Sequence, residues 1–351
     1  MAGRWWIASC LALLAGGLAP AQEVPAPAGA DAGAQLETIV VTGEQPGPGL
    51  WQVRKDGHVM WVLGTLAPLP RDMRWRAGEV GERIAQSKAM LAAPSLMIKS
   101  DVGWFGRIAL APWLVGVRNN PDHRRLKDVL PPDLYARWQP LKQRYLGRGN
   151  KVEKWRPLFA AMELYRAAVR ANGMTVGSAS VTDQVDHFAK QAKLEPTPVR
   201  IEVPVESPRA AIKEFKRSQL DDIDCFAKTI ERLETDLGTM KQRANAWASG
   251  DLAALRALPY VDQSDACFEA MQHTRVLQAA GDIEARLRQR WLDAAGKALD
   301  AHATSFALLP MGEVVGKDGY LEALRARGYE IVAPDADEAA SEAAAAAAPS
   351  P

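Results

Sequence analysis

The side chains able to act as acids, bases, nucleophiles or ligands are few and scattered. The five histidines are His58, His123, His187, His273 and His302, and no spacing among them resembles a closed zinc site. Asp183 and His187 fall at i and i+4, on one helical face. That pair is either two ligands for a divalent ion or an ordinary solvated helix surface. Glu313 follows an apolar segment, and Glu202 lies near the end of another. Glu313 with Glu202 or Asp183 would supply an acid and a base without a metal, although the sequence does not set their separation. Arg156, Arg288 and Arg290 carry guanidinium groups suited to a carboxylate or phosphate, or to bracing the fold. Neither a Gly-x-Ser-x-Gly elbow nor a phosphate-binding glycine loop occurs.

The compartment follows from the first residues. Arg4 precedes the uncharged apolar run Trp5 to Leu18, and Ala19-Pro20-Ala21 supplies small residues for a signal peptidase. The reading is a secretory signal over residues 1–21, cleaved after Ala21, and a periplasmic or secreted protein. The run is too short to span a bilayer, and no later stretch is long enough. Ile7-Ala8-Ser9-Cys10 loosely matches a lipidation box, but leaves almost no hydrophobic run before Cys10. Removing Arg4 leaves 42 basic and 42 acidic residues. That balance gives no electrostatic case for nucleic acid or an anionic membrane. Without Cys10, Cys225 and Cys267 remain, either a disulfide or two buried thiols.

These groups must be positioned by a chain whose organisation is legible in outline. Residues 22–48 are rich in Pro, Gly and Ala and read as a flexible leader. Inside it, residues 37–42 (Glu-Thr-Ile-Val-Val-Thr) are β-prone and similar to the TonB box of outer-membrane receptors. The same six residues also read as an edge strand or a linker. Leu50 to Val53 and Val59 to Leu63 predict a hairpin turning at Asp56-Gly57. A helix is expected from Met73 to Ser87, and a strand over 90–97 interrupted by Pro94. Residues 104–117, with Trp104, Phe105 and Trp113, read as a buried helix broken at Pro112, or as an exposed patch. Helices are expected at 131–146, 155–172, 180–193, 208–248, 251–257, 262–280, 282–300 and 320–327. Strands are expected at 199–203, 306–309 and 329–332. The expected fold is therefore α/β, with a mixed central sheet built from N- and C-terminal segments around a large helical middle. Residues 335–351 read as a disordered Ala-rich acidic tail.

Leu50-Trp51, Val62-Leu63-Gly64-Thr65-Leu66, Trp247 with Gly250-Asp251, and Gly312, Gly316 and Gly319 through Gly328-Tyr329 resemble the TraB/GumN family, which includes the Tiki-like proteases. The resemblance covers residues 49–334. It implies an α/β domain with a site at the ends of central strands. It also implies a divalent metal held by two Gly-x-x-His motifs and a carboxylate. This chain departs at each position: Ala67 and Glu313 stand where the histidines would be, Pro310 replaces a glycine, and Ala93 aligns with the carboxylate. A methyl group donates no lone pair, and one carboxylate does not make a tight metal site.

The expectation is a degenerate family member without metal or cofactor, with a binding or accessory role in the cell envelope. Its pocket would be edged by Gly64, Thr65, Ala67, Gly312 and Glu313, with Arg156 and Arg290 as neighbours. Its partner would be an envelope protein or a small ligand. The alternatives are a peptidase-like hydrolase using Glu313 with Glu202 or Asp183, and a partner of a TonB-type system acting through residues 37–42.

Overall fold

The computed structural model describes residues 44–335, apart from 101, 178 and 259–262. The expected signal, most of the leader with residues 37–42, and the tail from residue 336 lie outside the described residues. The strands are β1 (Glu44–Gln45), β2 (Leu50–Lys55), β3 (His58–Thr65), β4 (Arg74–Trp75), β5 (Ala89–Leu91), β6 (Ser95–Lys99), β7 (Pro196–Thr197), β8 (Arg200–Pro204), β9 (Thr304–Pro310) and β10 (Glu330–Val332). Six form a mixed sheet in the order β10-β2-β3-β9-β5-β7.

The hairpin turns as its sequence dictates. Asp56 and Gly57 both have positive φ, 49° and 83°, which two-residue turns require to match the strand twist. The register runs from Lys55 opposite His58 to Leu50 opposite Leu63. Beside the hairpin, β3 pairs with β9 in parallel, from Val59 opposite Thr304 to Thr65 opposite Pro310. Ser305 to Leu309 are all buried, as a parallel strand covered on both faces must be. The helix Ile283–Ala301 lies along β3, β5 and β9. It buries Trp291, Leu292, Ala295, Ala298 and Leu299, one stripe at helical spacing.

Pro94 divides the expected third strand into two. Before it, β5 pairs with β7 and β9; after it, β6 pairs with β8 in a separate two-stranded sheet. Hydrogen bonds from Ala92 N to Thr197 O and from Ser95 N to Val199 O, both 3.0 Å, carry the parallel pair across the break. The helix expected from Met73 begins at Gly78 instead. Arg74–Trp75 extends to pair with Glu44–Gln45, and this puts the buried Trp75 ring 5.6 Å from Trp247. Tertiary pairing overrides helical propensity there.

The middle of the chain builds its own core from helices Pro132–Tyr145, Pro157–Ala171 and Ile223–Thr235, centred on Trp138, Leu164, Phe226 and Ile230. The buried Glu153 is fully engaged. It accepts from Trp138 Nε1 at 3.1 Å and Tyr135 OH at 3.3 Å, and pairs with Lys142 Nζ at 2.9 Å. The expected helix over 208–248 is three helices, Pro208–Arg217, Ile223–Thr235 and Leu237–Ser249. Cys225 and Cys267 form a disulfide, Cα to Cα 4.5 Å, joining Ile223–Thr235 to Gln263–Gln272. The helix Trp104–Leu114 does not take the buried place its apolar sequence suggested: Phe105 is 84% exposed and Trp104 72%. No helix among the described residues is long and apolar enough to cross a membrane.

Candidate functional site

Three neighbouring strands run in the same direction, so their C-terminal ends share one edge of the sheet. Leu91 of β5 is opposite Ala307, and Thr65 of β3 is opposite Pro310. The chain leaves β3 through Thr65-Leu66-Ala67, leaves β5 through Ala92-Ala93-Pro94, and leaves β9 into the short helix Met311–Val315. Carboxyl ends of parallel strands are where open α/β sheets place ligands. The sequence-predicted residues Gly64, Thr65, Ala67, Ala93, Gly312 and Glu313 thus sit at or beside this edge.

Each has a local reason for its place. A Cβ on Gly64 would stand 2.6 Å from Met311 Cε, so the glycine leaves room for the Met311 side chain beside β3. Its carbonyl accepts from the buried Trp247 Nε1 at 2.7 Å. Thr65 Oγ1 donates to Leu309 O at 3.3 Å, tying β3 to β9. Beyond Glu313 the chain doubles back closely. A Cβ on Gly319 would lie 2.3 Å from the Glu313 carbonyl oxygen, and one on Gly316 2.6 Å from that of Gly312. The glycine motif is therefore steric.

Sequence reasoning missed Tyr320 beside Glu313. Burial, reinforced by the Glu313 charge, pushes the Tyr320 phenol up to about 12, and Arg288 opposes that shift. Arg288 lies over the Tyr320 ring, 5.4 Å from its centroid, and donates to Gly319 O at 3.0 Å. Glu313, Tyr320 and Arg288 are the polar corner of the edge. A tyrosine directly after a Gly-x-x-Gly segment was the available signal.

Arg156 takes the bracing role that the sequence left open beside ligand binding. It is 2% exposed, donates to Phe215 O at 2.6 Å and Ser218 O at 2.9 Å, and stacks on the Phe215 ring. It borders a hollow of about 220 Å³ with Asn120, Asp122 and Asp222. Burial lowers its pKa despite the nearby Asp222. Arg290 is exposed and donates to the Arg200 carbonyl of β8 at 2.5 Å.

The acidic alternatives have partners of their own. Glu202 lies on β8, paired with Lys99 at 3.0 Å and Arg200 at 3.1 Å. These bonds and charges, Lys99 foremost, hold its carboxyl below the usual range. Asp183 is exposed on helix Ala179–Gln191, where His187 Nε2 is 3.0 Å from Gln191 Nε2.

The residues present do not fit a divalent ion. Ala67 and Ala93 end in methyl groups, the Thr65 hydroxyl is engaged with Leu309, and Glu313 is the sole carboxylate on the three strand exits. Among the described residues, no group of three or more His, Cys, Asp or Glu is placed to hold a metal.

A mixed sheet that joins early and late strands, with glycine-tightened turns at parallel strand ends, defines an α/β protein with a candidate site at those ends. The chain belongs to the TraB/PrgY/gumN family, whose model matches residues 49–333. No curated protein and no solved structure matches it.

Proposed function

We propose that this protein is an exported, catalytically degenerate member of its family that uses the strand-end site for binding in the cell envelope. One observation carries the reading: Ala67, Ala93 and Glu313 occupy the exits of β3, β5 and β9, leaving one carboxylate where metal-assisted hydrolysis needs several donors. Glu313, Tyr320 and Arg288 bring a carboxylate, a hydroxyl and a cation to this edge, chemistry suited to recognising a polar group. The signal-like residues 1–21 and the Cys225–Cys267 disulfide support an oxidising compartment outside the cytoplasm. The partner is an envelope protein or a small ligand; a TonB-type contact through residues 37–42 predicts that their deletion abolishes association and leaves thermal stability intact.

Calorimetric titration with manganese, cobalt and zinc tests the reading. The expected outcome is no stoichiometric binding to the mature chain. Tight binding that disappears in Glu313→Ala would overturn it and revive the hydrolase alternative. Sequencing the mature protein's N-terminus should begin at Gln22.

A further inference from the structure

The helix Trp104–Leu114 is apolar at every position but Arg107, yet lies at the surface. Trp104, Phe105, Ile108, Trp113 and Leu114 are 72%, 84%, 55%, 43% and 49% exposed, and Val115 beyond the helix is 74% exposed. A contiguous apolar surface of this size is uncommon on a protein surrounded only by water. At 11 residues the helix is about 16 Å long, half of what spanning a bilayer requires. It can lie in an interface but cannot cross one.

The surroundings say what covers it. From Val102 to Pro121 no acidic residue occurs, while Arg107 and Arg118 do. The helix packs along Pro208–Arg217, which carries Arg209, Lys213, Lys216 and Arg217. Lys216 Nζ donates to Val115 O at 2.6 Å and fastens the two together. Asp101 and Asp122 flank that stretch; of the acids on the second segment, Glu214 is paired with Arg275 at 2.8 Å and Glu206 precedes the helix, so six cations face four acids. The chain-wide charge balance thus conceals a local cationic excess beside an apolar ridge with a tryptophan towards each end. Tryptophan side chains favour the headgroup level of bilayers, and adjoining cations complement anionic lipid. A second copy on the same ridge would bring the same cations against one another.

We propose that Trp104–Leu114 is a membrane-contact helix. It seats the protein on an anionic bilayer surface, with helix Pro208–Arg217 supplying the electrostatic attraction. The test is flotation of the full mature chain with vesicles of phosphatidylglycerol and phosphatidylcholine, against vesicles of phosphatidylcholine alone. Binding to the anionic vesicles should be at least tenfold tighter and should weaken in high salt. The double variant Trp104→Ser/Phe105→Ser, whose side chains are exposed, should keep the wild-type thermal transition and lose about tenfold in binding. Arg209→Glu/Lys213→Glu should show a similar loss on anionic vesicles only. Three results would overturn the proposal: no flotation with anionic vesicles, flotation unchanged by Trp104→Ser/Phe105→Ser, or a dimer in light scattering that the same variant converts to monomer.

Discussion

Asp222 shows how one buried side chain sets a pH dependence. Its carboxylate accepts from the backbone N–H of Leu158 at 2.8 Å, satisfying a donor that the start of helix Pro157–Ala171 leaves without an intrahelical partner. Burial nevertheless dominates and pushes its pKa up to about 6 from an ordinary 3.8, against the pull of Arg156. The folded state therefore holds this proton more tightly than the unfolded one. Its contribution is fully present below the ordinary value and is lost as pH rises through about 6. Asn at this position keeps an acceptor for Leu158 without the charge. Urea unfolding at pH 4 and pH 7.5 should find Asp222→Asn close to wild type at the lower pH, and more stable by up to about 3 kcal/mol at the higher. An unchanged difference between the two pH values would contradict the assignment. At this scale the place of Ala67, Ala93 and Glu313 at the strand exits was legible, because each closely follows an apolar strand pattern. Arg156 was not: a guanidinium bound to two carbonyls and one bound to a ligand look alike in a sequence.

Elements were legible where local pattern and tertiary demand agree. The β2–β3 hairpin declares itself through Asp56-Gly57 and apolar flanks, and helix Ile283–Ala301 through its stripe. The disagreements share a cause: partners from distant sequence. Arg74–Trp75 extends because Glu44–Gln45 runs beside it, and 95–99 leaves the main sheet because β8 continues alongside. For Trp104–Leu114 the sequence left a buried helix and an exposed patch both open, because apolar composition reports a need for cover without saying what supplies it; the structure takes the exposed alternative. The disulfide illustrates an element-scale constraint. Cys225 is fully buried beside Leu158 and Ala270, so the bridge holds Gln263–Gln272 against the helical core. In the chain-entropy model, closing a loop with a separation of 42 contributes about 4 kcal/mol. Cys225→Ser/Cys267→Ser should lower the thermal midpoint substantially, and reductant should then have no further effect. Trp247→Phe should cost about 1–3 kcal/mol by leaving the Gly64 carbonyl without that donor. Chemical denaturation measures it.

For the whole molecule, the decisive feature is that a strand distant in sequence, β9, completes the sheet between β3 and β5. Strand β9 bridges β3 to β5, with Val62 and Leu91 both opposite Ala307, and about 240 residues separate Val62 from Ala307. Until β9 docks, the β2–β3 hairpin and the β5–β7 pair have no ladder between them, and both expose unpaired edges. The three strand exits come together only in the closed sheet, since they belong to β3, β5 and β9. Two truncations should therefore behave differently. A chain ending at Gly328 lacks β10, which pairs only with β2 from Gln52 to Arg54. It keeps five strands and should retain a cooperative transition at a lower midpoint. A chain ending at His302 lacks β9 as well, and with it the buried run Ser305 to Leu309. It should lose the cooperative transition and aggregate, although helix Ile283–Ala301 and the helical core remain encoded. Circular dichroism melts distinguish the cases, and a sharp melt in the shorter chain would show that the helical middle folds without the sheet.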